Sequence, residues 1–311
     1  MAKIINEDFQ KKWEERSTVR NSPRLIIDPS EGGYFYPIER QPLCLHPKIE
    51  ALGEKAINYL LLQSLYKYTN DIELIETKIV NPVALNITLN SYEVKFNEHY
   101  RLGALTLLTD ESYHAYVAID AMMQIQKETG INPLPLPETI EIEKAIKMIK
   151  NKLNKKYYSS FDLVAVSIAE STLTHEIISM IAEEETNPFF QNMLENHLLD
   201  ESRHCGYFYE VLSYFWRNLD KDHKEKIGEV LAEFIELYLG IDIEIEFSSR
   251  VLKELGLTDS EISQIMHDTY SGFKVTINHP LLKNIMKQLT RCGVLDNFTL
   301  SEFKKRNWIS E

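Results

Sequence analysis

The sequence predicts an all-α protein built on a four-helix bundle with additional peripheral helices. Three observations carry this. Gly and Pro number only 11 each in 311 residues, too few for the turns of a β-sandwich, while hydrophobic residues reach 44%. Apolar positions recur at steps of three and four through four long segments. The stretch "TDESYH" at 109–114 returns as "LDESRH" at 199–204, so the same helix surface occurs twice.

Residues 1–50 carry scattered Pro and aromatic residues ("RNSPRLIIDPSEGGYFYPIERQPL") and predict an irregular N-terminal arm. A first long helix is expected from about 51 to 80, where "NP" at 81–82 must end or kink it. A second is expected over about 94–128. "GINPLPLPET" at 130–139 is the clearest break, and it divides a metal-binding helical core, 51–216, into two similar halves. Periodicity resumes at about 140–156, then in long segments at 160–186 and 189–216, with "NP" at 187–188 marking a turn or kink. Shorter amphipathic helices are expected over 217–311, one starting at Thr258 or Asp259 with Glu261 following. The whole chain, 1–311, reads as a single domain.

The net charge of −13 argues against a nucleic-acid partner, because phosphate binding needs a basic stripe. The opening residues "MAKIINEDFQKKWEER" contain no apolar core of signal-peptide length, and no stretch reaches about 18 uninterrupted apolar residues. The expectation is a soluble, cytoplasmic protein that binds no membrane. Cys44, Cys205 and Cys292 are widely separated and form no CxxC pair, so reduced thiols are expected, with Cys205 a small buried side chain.

Glu and His three residues apart lie about 60° apart around a helix, so both can reach one metal ion. A Glu-x-x-His alone occurs by chance about once in such a chain. Two copies, each with Asp directly before the Glu, do not. On the helix through 189–216 one stripe reads Phe190, Leu194, His197, Glu201, His204, Phe208, Val211, an apolar face interrupted by three ligand-type side chains. Ala104, Leu107, Leu108, Glu111, His114, Ala115, Ala118 repeats the pattern. Burying such groups costs several kcal/mol unless something satisfies them, and a metal does so.

Two metal ions need more carboxylates. Leu163, Val166, Glu170, Leu173, Ile177, Met180 is apolar except for Glu170, whereas Glu176 shares a face that reads as solvated with Ala169, Thr172, Ser179 and Glu183. Leu62, Leu65, Thr69, Ile72, Glu76, Ile79 isolates Glu76 in the same way as Glu170. Two helices giving one Glu each and two giving Glu-x-x-His form the ferritin-like di-metal pattern. His197 is in register with this set, either as a seventh ligand or as a group beside the metals. Four carboxylates balance two divalent cations, and a Glu/His set without thiolate suits iron or manganese. Asp110 and Asp200 are placed to accept the free ring N–H of a His on the opposing helix. Arg203 is expected to face away from the metals and to pair with a carboxylate. His46, His99, His175, His223 and His267 lack a matching partner in the sequence.

These residues resemble the ferritin-like di-iron N-oxygenases of the p-aminobenzoate N-oxygenase type, which convert arylamines to nitro compounds in bacterial natural-product biosynthesis. The resemblance rests on "DESYH", "AEST" around Glu170, "ENHLLDESRH" and the Glu of "LIETK", over about 60–215. It implies seven ligands, Glu76, Glu111, His114, Glu170, His197, Glu201 and His204, holding two iron ions (Fe2+/Fe3+), with manganese as a substitute. It also implies O2 as co-substrate, a small-molecule amine substrate, an external electron donor and a homodimer. A radical-generating reductase subunit typically carries a Tyr one turn after the first His, where this chain has Ala118. A carbon-hydroxylating di-iron monooxygenase and a non-enzymatic iron-binding or ferroxidase-like protein are the alternatives.

Overall fold

The computed structural model describes residues 7–181 and 185–309, and among these the protein is helical with no strand. The arm carries more structure than its composition suggests, because α1 (Glu7–Arg16) and α2 (Thr18–Asn21) open the chain. Beyond them it runs irregularly to the one-turn α3 (Pro47–Glu50). Its backbone pairs Tyr34 with Thr186, pinning the arm beside the start of a bundle helix. The expectation of a chain without a signal peptide rests partly on residues 1–6, which lie outside the described residues.

The bundle begins with α4 (Glu54–Ile75), which does not stop at Pro82. It passes through a π-helical turn, Glu76–Val80, into α5 (Asn81–Thr88), with Pro82 in the first turn of that helix. The wider turn removes the need for an N–H at Pro82, so the chain runs on instead of breaking. Next comes α6 (Glu98–Thr129), started by Asn97, whose side chain accepts the N–H groups of His99 and Tyr100, and ended by Gly130 in the left-handed conformation. The proline-rich connection leads to α7 (Glu141–Lys150) and then to α8 (Tyr158–Ile181) and α9 (Pro188–Asn218). Thr186 lies in the bridge to Tyr34 and not in a helix, so the third long segment is shorter than periodicity suggests. Asn187 caps α9 and Pro188 occupies its first turn.

Helix α4 packs along α6, and α8 along α9, while α6 and α9 also meet. This is the expected ferritin-like four-helix core. The peripheral helices are α10 (Lys221–Tyr238), α11 (Asp242–Glu254), α12 (Asp259–Tyr270), α13 (Pro280–Cys292) and α14 (Leu300–Lys305). Thr258 caps α12, with its side chain and that of Glu261 satisfying each other's backbone N–H. Two apolar clusters fill the bundle. One gathers Ala104, Leu107, Leu163, Val166, Phe208 and Val211; the other gathers Leu62, Leu65, Leu173, Ile177, Phe190 and Leu194. Between them lies the polar layer described below.

Residues Lys155–Ile181 are long and apolar enough to cross a bilayer by composition, yet 72% of that stretch is buried inside the protein. The buried positions of α8 include Glu170 and several Ser and Thr, as befits a core helix wrapped on all sides.

Candidate metal centre

The four apolar stripes read from the sequence all face the bundle interior, and their polar interruptions meet in one layer. Glu76, Glu111, Glu170 and Glu201 have no exposed surface, and His204, His114 and His197 have 1%, 5% and 6%. Glu76 opens the π-helical turn, a widening that helices often place at functional sites. The ligand-type atoms fall into three overlapping groups, each within 4.8 Å: Glu76, His114, His197 and Glu201; Glu111, His114, Glu201 and His204; and Glu76, Glu111 and Glu170. His197 thus converges with the other six. Its Nε2 lies 3.2 Å from Glu201 Oε1 and 3.6 Å from Glu76 Oε1.

His114 and His204 are held from both sides. His114 Nδ1 lies 2.8 Å from Glu111 Oε2, and its Nε2 lies 3.2 Å from Asp200 Oδ2. His204 Nδ1 lies 2.8 Å from Glu111 Oε1, and its Nε2 lies 3.1 Å from Asp110 Oδ2. Each histidine of one Asp-Glu-x-x-His copy is therefore oriented by the aspartate of the other. A ring whose outer N–H is fixed by a carboxylate keeps its inner nitrogen pointing at the centre.

Arg203 does more than pair with a surface carboxylate. Its Nη2 donates to Asp110 Oδ2 at 2.7 Å and lies equally close, 2.7 Å, to Asp200 Oδ1, so one guanidinium ties both aspartates. The arm completes the ring: Trp13 Nε1 donates to Asp110 Oδ1 at 2.9 Å, and the Thr18 N–H donates to Asp200 Oδ1 at 3.2 Å, with the Thr18 hydroxyl donating to Oδ2. The expected pairing of Arg203 with a carboxylate is met twice over, whereas sequence reasoning missed Trp13 and Thr18, which had no signal.

Both oxygens of Glu76 and of Glu170, Glu111 Oε1, Glu201 Oε2 and His197 Nε2 are buried without an aligned hydrogen bond. Orphaned acceptors at this density are costly, on the order of several kcal/mol for each charge left unpaired. The protein moderates that cost with protons. Burial, then the charges of Glu111 and Glu201, push the Glu76 and Glu170 carboxyls well above the usual range. Burial works the same way on Glu111 and Glu201, but the His204 charge together with the hydrogen bonds from the neighbouring histidines outweighs it and holds both below. Burial would lower the histidines, yet Asp200 and Glu111 lift His114 to about 9, and Glu111 and Glu201 lift His204. His197 stays low through burial and the neighbouring His114.

Two divalent cations would balance the four carboxylates and leave the buried layer neutral. The orphaned oxygens and the all-oxygen-and-nitrogen donor set thus fit a pair of hard or borderline metal ions.

A narrow cleft of about 30 Å3 reaches the histidine side of this layer, past His114, His197, Tyr113, Val117 and Phe189. Larger cavities lie beside α4 and α8. Glu176 lines them and is itself exposed, as its sequence reading has it, although Ala169 and Thr172 on its face are fully buried. Glu183, expected on the same face, lies outside the described residues. A further His/acid group, Glu93, Asp220 and His223, has ligand-type atoms within 4.8 Å at the surface, so His223 does have partners. Cys44, Cys205 and Cys292 are free thiols, Cys205 being only partly buried.

Compared with known families, the chain matches the family model described as p-aminobenzoate N-oxygenase AurF over residues 5–271. Among curated proteins no match is found.

Proposed function

This chain belongs to the p-aminobenzoate N-oxygenase family, and on that premise we propose that it is a non-haem di-iron oxygenase that transfers oxygen from O2 to the nitrogen of an amine. The observation that carries the reading is the set of buried, unsatisfied carboxylate and imidazole atoms meeting from four helices. Glu76, Glu111, His114, Glu170, His197, Glu201 and His204 would hold two iron ions, with manganese as the substitute the same donors accept. The chemistry such ions supply when bound is the two-electron activation of O2.

The chain's own residues prepare the site for that chemistry. Asp110 and Asp200 orient the rings of His204 and His114, and Arg203 keeps the two aspartates together. Apolar clusters on both sides of the layer keep bulk water out, which strengthens every charge interaction within it. Trp13 and Thr18 seal the aspartate end. The reading includes an external electron donor and a homodimer.

The test is a single turnover of iron-loaded, reduced protein with 18O2 and a panel of arylamines. The expected product carries 18O on nitrogen, as a hydroxylamine or nitroarene. A ring- or side-chain-hydroxylated product would assign the site to carbon hydroxylation instead. O2 consumption with no labelled organic product would leave iron oxidation as the activity.

A further inference from the structure

A cavity of about 290 Å3 lies between α4, α8 and the peripheral helices, and shares Ile72 with the cleft at His114. That volume is at the lower end of the roughly 300–1,000 Å3 found for small-ligand sites, whereas the 30 Å3 cleft on the histidine side admits about one water. Ile72 and Leu173 line the larger cavity, one turn before Glu76 and one turn after Glu170. Tyr68 joins it to a neighbouring cavity of about 320 Å3, which shares Asp71 and Glu176. The Tyr68 hydroxyl is shielded from solvent and has no hydrogen-bond partner. Through Ile72 and Leu173 this space reaches within one helical turn of Glu76 and Glu170.

The charge of the space is one-sided. Three acidic side chains, Asp71, Glu141 and Glu176, line the 290 Å3 cavity, and among the described residues no Lys or Arg does. Lys67, in the adjoining cavity, is already taken up by Asp71 at 2.6 Å and Glu244 at 3.3 Å. Glu141 accepts the Ile243 N–H. Glu176 is exposed where it lines both cavities, and Arg40 at the adjoining cavity donates to the Ser179 carbonyl. A carboxylate-bearing ligand would meet like charge in this space, and an ammonium would meet its complement.

Resting on the oxygenase reading, we propose that this cavity is the amine substrate's compartment and that it selects substrates with a second, protonated basic group, held by Glu176 and by Asp71 Oδ1, the oxygen that Lys67 leaves free. The apolar wall of Ile72, Ile75 and Leu173 takes the body of the molecule, and Tyr68 offers its free hydroxyl to the polar end nearest the metals. An incoming cation offsets the like charge that Asp71 and Glu176 impose on each other.

The test is binding, measured by calorimetry on the purified protein at pH 8 with 4-aminobenzylamine, aniline and p-aminobenzoate. The cationic probe is expected to bind at least roughly 10-fold more tightly than the anionic one. Glu176→Gln should remove most of that preference while leaving aniline unchanged, and Glu176→Asp should retain it. Equal binding, the reverse order, or a preference untouched by Glu176→Gln overturns the proposal. Should Glu176→Gln fail to fold, the wild-type ranking alone decides. Because no turnover is read, the two readings fail separately. A protein that prefers the cation but oxygenates no nitrogen refutes the activity and not the selection. One that converts p-aminobenzoate without preferring the cation refutes the selection alone.

Discussion

His114 on α6 and Asp200 on α9 stand 3.2 Å apart, and His204 and Asp110 repeat the relationship at 3.1 Å in the opposite direction. The two Asp-Glu-x-x-His copies are thus interlocked, each supplying the group that orients the other's imidazole. Neither copy is a complete half-site.

Replacing Asp200 by Asn should preserve shape but weaken the hold on His114, and Asp110→Asn should do the same for His204. An orienting group of this kind is worth roughly 10–100-fold in metal affinity. Competition with a chromophoric chelator reads the change. Wild-type affinity in both variants would show that the cross-pairing has no part in metal binding.

Glu111 and Glu201 each join more than one of the converging groups, whereas His197 joins one. Glu111→Ala or Glu201→Ala should therefore abolish both metal ions together. His197→Ala should leave the fold intact and weaken or remodel one. Metal content by elemental analysis, compared with helicity by circular dichroism, separates these outcomes. Unchanged metal content in His197→Ala would remove it from the ligand set.

Among the groups of the metal layer, Glu76 and Glu170 are raised above 4.5, His114 from 6.5 to about 9, and His204 above 6.5. A raised folded pKa contributes stability that is present below the unfolded value and lost as pH rises through the folded one. The metal-free Tm should accordingly fall between about pH 5 and 9. Metal binding must displace protons from these groups, so its affinity should rise over the same window. Calorimetry in two buffers of different ionisation enthalpy counts the protons. Parallel Tm curves for loaded and metal-free protein would contradict this.

Arg203 contacts Asp110 and Asp200 through one nitrogen, with only 10% of its side chain exposed. Arg203→Leu leaves two buried carboxylates without their cation, at a cost of about 3 kcal/mol, the low end for breaking a buried pair. Chemical denaturation should show that loss, and Arg203→Lys should recover part of it. A Leu variant as stable as wild type would reduce Arg203 to a space-filling role.

Much of this molecule is legible in its amino-acid sequence. The period of the apolar positions places α4, α6, α8 and α9, and the side chains interrupting those stripes name Glu76, Glu111, His114, Glu170, His197, Glu201 and His204 as one buried set. That works because a helix's buried face is a local property, written at steps of three and four. The partners across helices were decided only by tertiary packing. Trp13 and Thr18 reach Asp110 and Asp200 across 97 and 182 residues, and no local pattern encodes such separations. Likewise, Glu176 reads as solvated from its helical company and is exposed, but only the surrounding helices set it beside Asp71 and Glu141 in one acidic cavity. Periodicity reports which side of a helix avoids water; the shape and charge of what it meets there emerge only when distant segments close over it.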